Sequence, residues 1–467
     1  MPQPPRTGHA LSLALLAALL QPTAQAAPGQ LHPDVHYDAR SNTLRVVGCD
    51  YPAVKSALLN VSDGGTVEIG AGHCDWGEED PAHPGAEPHW VVASIQGKNI
   101  RVRGAGVDQT VIHRTSPIRG GDEPLLYFGC GSGATIEMSH IHFLGNDDEQ
   151  AGDPVMREAD QDSGIQLQGR CQNIKLHDMV FEKFSNAGIM LTGRSAEQDG
   201  VVYDNKFISN YKCYPLDQPD NNYRCLGYGV ALWGANHWPD LQLGSANAVF
   251  IESNKFYDNR HAIAAHMGVR YVARYNRILG SERTAPWGML DAHGNREEAN
   301  GNVRGTRSWE IYHNTLGSEA SGSRKANGFV PRGGDGVFFN NHIQGRIFTT
   351  ARMLVESYQE DCDPDVVHPP GPRQFVTDQT TEAWFWGNVH APESRDLFPG
   401  NPPPLQYFMT TSGSYDCSYF LREGEPNDPP DTWEYTQAPK PGYVPYTYPH
   451  PLRMTGDRIF QDDFDWL

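Results

Sequence analysis

Residues able to move protons and hold charge recur at matched places in this sequence of 467 residues. Short segments with alternating apolar positions close on glycine: GIQLQG, GIMLTG, GVALWG, AIAAHMG, GMLDAHG and GFVPRGG. Aligned on their glycines, they set Gln168, Thr192, Trp233, Met267, His293 and Arg332 in one column. Two positions earlier stand Gln166, Met190, Ala231, Ala265, Asp291 and Val330. If the segments are stacked strands, about 4.8 Å apart, each column is a row of neighbouring side chains. By alternation both rows point away from Ile165, Leu167, Leu290 and Phe329, so they face outward. His293 is then placed to take a proton, Arg332 to stabilise developing charge or return the proton, and Asp291 to orient His293.

The surroundings narrow the ligand. The chain carries a formal charge of -20 and a sequence pI near 5.3. That excess of acid argues against nucleic acid or an anionic membrane as a partner. Yet basic residues crowd between Arg260 and Arg332, with His266, Arg274 and Arg307 among them. A local basic strip on an acidic protein suits a substrate that bears carboxylates, such as a uronic-acid polymer. Trp233 would stack on a sugar ring, and Arg260, His266, Arg274 and Arg307 would hold the acidic groups. Glu252 and Arg274, each two residues before an Asn, would be neighbours on successive strands. They read either as an ion pair or, for Glu252, as a calcium ligand. Asp147 to Asp162 and Glu78-Glu79-Asp80 offer other oxygen clusters, without EF-hand spacing. No organic cofactor is expected.

The elements that must position these groups announce themselves as a repeat. A second series of apolar strands ends on asparagine: VVYDNKF at Asn205, VFIESNKF at Asn254, YVARYNRI at Asn276, WEIYHNTL at Asn314, VFFNNHI at Asn341 and AWFWGNV at Asn388. The intervals from Asn254 run 22, 38 and 27 residues. Intervals as short as these fit one solenoid coil plus variable loops and are too small for a four-stranded propeller blade. Each coil cannot bury its own apolar face, so coils stack. An Asn at the same turn of successive coils can bond the next, forming an internal ladder. The fold class expected is all-β: a single-stranded right-handed parallel β-helix.

The segment AVKSALLNVSDGGTVEIGAGHCDW, from Ala53 to Trp76, resembles the entry of secreted pectin-lyase-like β-helix proteins. That resemblance implies an amphipathic helix capping the open end. It extends over roughly Val54 to Gly345 and implies a polysaccharide-active protein. VFIESNKF, and RGG followed by VFFNNHIQG, resemble faintly the β-helix lyases that cut alginate and dermatan. By that likeness Arg332 matches a catalytic Arg, and Glu252 a calcium ligand. Gly333 stands where those lyases carry His, and their Lys base motif is absent, which leaves His293 as the base. The motifs of pectate lyases and polygalacturonases are missing too.

The expected organisation is a leader over 1–26, a β-helix with its cap over 27–350, and an irregular tail over 351–467. The leader has Arg6, the apolar run Ala10 to Leu20 and the small-x-small site Ala24-Gln25-Ala26, so export is expected. Its run is too short to span a bilayer. The tail holds Pro runs at His368 to Pro372 and Asn401 to Pro404, with one further coil at Trp384 to Val389. Eight cysteines, in an exported chain, read as disulfides between sequential neighbours, although spacing alone admits 105 pairings. The function expected is a secreted, monomeric polysaccharide lyase acting by β-elimination on a uronate polymer. A glycoside hydrolase pairing Asp291 with Glu310 or Asp335, a uronate epimerase and a non-catalytic adhesive β-helix are the rivals.

Overall fold

The computed structural model describes residues 31–77, 91–115, 121–146, 160–193, 197–215, 223–281, 288–294, 296–298, 301–319, 326–345, 347–355, 380–391, 410–411, 423–429 and 433–454. The expected leader, residues 147–159, Glu78 to Asp80, Cys362 and Cys417 lie outside them. The chain is a parallel β-helix of three stacked sheets. A front sheet runs through Ala187–Thr192, Tyr228–Trp233, His261–His266, Leu290–Ala292 and Ala326–Pro331. A back sheet runs through Gly200–Tyr203, Val249–Glu252, Arg270–Arg274, Ser308–Tyr312 and Asp335–Phe339. A side sheet runs from Gly72–Trp76 and Thr110–Arg114 to Val389–His390. Each coil passes front, back and side before it climbs one strand. No helix among the described residues is long and apolar enough to cross a membrane.

The core follows from the alternation. Ile165, Ile189, Val230, Ile263, Leu290 and Phe329 form one inward column of the front sheet, all fully buried. Phe143, Phe181, Phe207 and Phe256 stack on the side sheet with centroids 5.4, 5.2 and 4.7 Å apart. Gly188 and Gly229 face these rings, where a Cβ would lie 2.9 Å from Phe207 and 2.6 Å from Phe256. The helix Tyr51–Asn60 closes the first coil with Ala53, Val54, Ala57 and Leu58.

The asparagine ladder forms as the sequence implies. Asn205 donates its side-chain amide to Asn254 at 3.0 Å, Asn254 to Asn276 at 3.1 Å and Asn276 to Asn314 at 2.9 Å. Asn314 and Asn341 continue it to Asn388. It occupies the turn between back and side sheets. There the preceding residues Asp204, Ser253, Tyr275, His313 and Asn340 take left-handed φ values of 51–59°. Five side-chain residues in that region are costly alone, and the ladder fixes them by bonding both backbone and amide of its neighbours. A second, shorter rung joins Asn210 to Asn259 at 2.8 Å.

Ile347–Ala351, Ala383–Trp386 and Tyr435–Thr436 continue the sheets beyond residue 350. The segment 443–454 then runs back across the outer face of the back sheet as a strap. Disulfides tie Cys49 to Cys74 and Cys130 to Cys171. Cys213 and Cys225 face each other on a hairpin, and Cys225 is disulfide-bonded.

Candidate functional site

The front sheet brings Asp291, His293 and Arg332 together on its outer face. Asp291 and His293 lie on and just beyond Leu290–Ala292, and Arg332 follows Ala326–Pro331 one coil on. Arg332 forks onto the Asp291 carboxylate, with Nε donating to Oδ1 at 3.0 Å and Nη2 donating to Oδ2. His293 Nε2 lies 2.8 Å from Asp291 Oδ2 and 2.8 Å from Arg332 Nη2. A ring nitrogen cannot donate to one and accept from the other at once. Pairing with the anion is the stronger arrangement, and it puts the proton on Nε2 and the basic lone pair on Nδ1.

Asp291 is fully buried, while the side chains of His293 and Arg332 are 12% and 16% exposed. Burial alone would raise the Asp291 pKa, but Arg332 and His293 beside it outweigh burial and hold it well below the usual carboxylate range. It therefore stays an anion. His261, from the coil before, closes the other side. Its Nδ1 donates to the Gly288 carbonyl at 2.6 Å, which leaves Nε2 as an acceptor 3.7 Å from Asp291 Oδ2 and without a hydrogen-bond partner. Burial, with Arg260 adding to it, pushes the His261 pKa down to about 3, so the ring is neutral. Tyr228 stacks on His261 at 5.7 Å, and Arg260 donates to the Tyr228 hydroxyl at 3.0 Å.

One column differs from the sequence reading. His266, not Met267, pairs with Trp233 and lies between it and His293 in register, and Ala264, not Ala265, precedes Asp291. The reason is one additional residue before the glycine: Met267 leaves the strand with φ 58° and Gly268 follows at 78°. The outer row is thus Gln168, Thr192, Trp233, His266, His293 and Arg332. The His266 and His293 rings lie 5.0 Å apart, and Trp233 is 41% exposed.

Three expected site residues lie elsewhere. Arg274 and Glu252 sit on the back sheet with no side-chain exposure, beneath the strap. Arg274 Nε donates to Glu252 Oε2 at 2.7 Å, and the other Glu252 oxygen accepts from the His450 backbone and from Arg453 at 3.0 and 3.1 Å. Both oxygens are engaged and sealed from water, so the calcium assignment of Glu252 and the substrate assignment of Arg274 do not fit. Arg307 lies beyond the front sheet, donating to the Pro239 carbonyl and to Asp335, with its guanidinium 4.8 Å from the Trp238 ring. Asp335 also accepts from Thr381 and Glu382, while Glu310 accepts from Gly244 and Tyr443, so neither of these proposed partners pairs with Asp291. Asp162, from the acidic stretch, is buried and accepts from Ser185. Sequence reasoning counted His261 only among the basic residues after Arg260, and it missed Tyr228. Their signal is an aromatic at the same strand-start position of adjacent coils.

No protein-family model and no curated protein matches the chain. Among solved structures it is similar to ORF18 of Geobacillus virus E2, with 13% identity over 77% of this chain and a TM-score of 0.35. The chain covers 57% of that viral protein's length. It is similar also to an alginate lyase from Paenibacillus sp. str. FPU-7, with 12% identity over 75% of this chain and 95% of that one, TM-score 0.35. A third is the catalytic unit of a thermostable GH87 α-1,3-glucanase from Streptomyces thermodiastaticus, with 12% identity over 88% and 72% of the two chains, TM-score 0.35.

Proposed function

We propose that this protein is an exported polysaccharide lyase that cleaves a uronic-acid-containing chain by β-elimination on the outer face of the front sheet. The observation that carries this reading is the meeting of His293 and Arg332, from adjacent coils, over the buried anion of Asp291. In that reaction His293 removes the proton beside the uronate carboxylate. The freed electron pair forms the new carbon–carbon double bond as the bond to the glycosidic oxygen breaks, and that oxygen leaves with the proton that the His293 imidazolium returns. Arg332 lowers the barrier by opposing the charge that builds on the carboxylate as the proton departs. Asp291 fixes the His293 ring and stabilises the imidazolium once it forms, which is the role a buried carboxylate plays beside a catalytic histidine. Trp233 and His266 extend the row along which a chain would lie, and Arg260 adds a second cation to the same face. No step runs through calcium.

A hydrolase would need a second carboxylate set across from Asp291, and inverting chemistry would place it about 6.5–9.5 Å away. Glu310 and Asp335 are committed to other contacts, which favours elimination. The test is incubation of the purified full chain with a panel of uronate polymers and neutral glycans, with and without chelator. A lyase produces the ultraviolet absorbance of an unsaturated uronate, insensitive to chelator. New reducing ends without that absorbance would make it a hydrolase, and binding with neither would make it an adhesin. An epimerase would change the uronate composition without cutting. Any of those three results would overturn the proposal.

A further inference from the structure

Far from the front-sheet cluster, the first coils carry a grouping that the proposed reaction does not use. Among the described residues, His73, Asp75 and His113 bring one ligand atom each to within 4.8 Å of one another. Their placement follows from strand geometry. His73 and Asp75 alternate outward on Gly72–Trp76, and His113 lies on Thr110–Arg114 directly across from Asp75. His113 Nδ1 is 2.9 Å from Asp75 Oδ1, and the two imidazole rings meet edge to face at 6.1 Å. The backbone beneath is fixed. Cys74, between the two ligands, is bonded to Cys49, and the buried Trp76 donates to the Cys49 carbonyl at 3.0 Å. The ligand side chains themselves stay accessible, with His113 29% and Asp75 50% exposed.

We propose that His73, Asp75 and His113 bind a borderline divalent transition-metal ion of the Zn2+ type, clipping the first side-sheet strand to the second. Two imidazoles and one carboxylate are the donor set that such an ion takes, at bond lengths of about 2.0–2.2 Å, with water completing the shell. Calcium, which wants six to eight oxygens, is a poor match. The ion replaces the proton now shared between His113 and Asp75, and closing to bonding distance takes side-chain rotation alone, on a surface where nothing buried must move. Because the ligands come from two coils, the ion ties the capped end of the solenoid together beside the Cys49–Cys74 disulfide.

The probe is Zn2+ itself, titrated calorimetrically into the metal-free full chain, with Ca2+ and Mg2+ as comparison ions. Wild type should take one equivalent of Zn2+ more than His73→Ala or His113→Ala, and should prefer it over Ca2+. Each His substitution removes a direct ligand and should weaken this site by more than the 10–100-fold that outer partners typically contribute. Asp75→Asn should fall between. Zn2+ should also raise the melting temperature of wild type and not of His113→Ala. The metal-free variants should melt with metal-free wild type, since the replaced side chains are exposed. An unchanged stoichiometry in both His variants, or Zn2+ bound no better than Ca2+, would overturn the site. Neither result depends on polysaccharide cleavage, so the clip and the proposed reaction fail separately.

Discussion

Replacing Arg274 with methionine separates a structural clamp from a substrate-binding cation. One guanidinium makes four hydrogen bonds here: to Glu252 at 2.7 Å, to the Tyr312 hydroxyl at 2.9 Å, and to the carbonyls of Tyr446 and Thr447 at 2.6 and 2.8 Å. It also packs between the rings of Phe250 and Tyr448, at 4.9 and 5.2 Å. Methionine keeps much of the apolar stem and removes every donor. Glu252 then remains buried with Arg453 and one backbone N–H, and two strap carbonyls lose their partner. Individual bonds of this kind contribute about 1.5–3 kcal/mol, but they share one group and do not add. The cost of breaking a buried pair, about 3–5 kcal/mol, is the better guide. The loss falls on docking of the strap, because two of the four bonds that vanish join 446–447 to the back sheet, and the Glu252 left behind is covered by the strap. At 1.4 kcal/mol per tenfold, the undocked population should rise roughly 10²–10⁴-fold. Limited proteolysis reads this directly: cleavage within 443–454 should accelerate by that factor while the coils stay resistant. Turnover at saturating polymer should change little. A strap as resistant as wild type, together with a raised KM, would refute the clamp and return Arg274 to the substrate.

Three further outcomes are expected. His293→Ala, Arg332→Ala and Asp291→Asn should each lower kcat about 10²–10⁴-fold with the circular dichroism of the coils retained, and full activity in all three would sink the site assignment. Asn276→Ala, at the middle of the ladder, deletes two accepted and two donated bonds in a buried turn and should cost about 3–5 kcal/mol in denaturant unfolding; Asn388→Ala, half-exposed at the end, should cost about half as much. Burial pushes the His450 pKa down to about 4, below its unfolded value near 6.5, so the stability it contributes is present above pH 6.5 and lost as pH falls towards 4. The strap should accordingly loosen to protease across that window, by an amount on the order of 2–3 kcal/mol, and His450→Gln should flatten the dependence.

The fold was legible because its rules are local and repeated. Every ladder asparagine from Asn205 to Asn388 can be picked out by eye, since a buried turn must satisfy its neighbours in both directions and the short asparagine amide both donates and accepts. The grouping of Asp291, His293 and Arg332 was legible in the glycine alignment, and one strand of that alignment was out of register by one residue. Glycine closes most front strands directly, as Gly234 follows Trp233, but Met267 intervenes after His266, in the left-handed conformation, before Gly268. Alignment on Gly268 therefore shifts the whole strand. The strap left no periodic trace. Its anchors Glu310 and Glu252 look, in sequence, like ordinary outward acids, and only the return of the tail across them makes them interior.

That geometry also divides the basic strip between 260 and 332 among the faces. A coil spends a few residues on each face before turning, so cations adjacent in sequence are distributed around the solenoid. Arg260 goes to Tyr228 on the front, Arg270 to Glu197 and the Asp240 carbonyl, Arg274 to the strap on the back, and Arg304 and Arg307 to Trp238. These five arginines are spent on aromatic faces, carbonyls and acids of the chain itself. Arg332 differs because the acid it shares with a histidine is buried, whereas Glu197, which Arg270 shares with His237, is 46% exposed. The same carboxylate that holds the cation in place also sets the imidazole, so charge stabilisation and proton transfer are fixed relative to each other by one buried group. A lone surface arginine, free to choose among rotamers, would have to be ordered at each encounter. Preorganisation around Asp291, rather than the number of arginines nearby, is what distinguishes the front face.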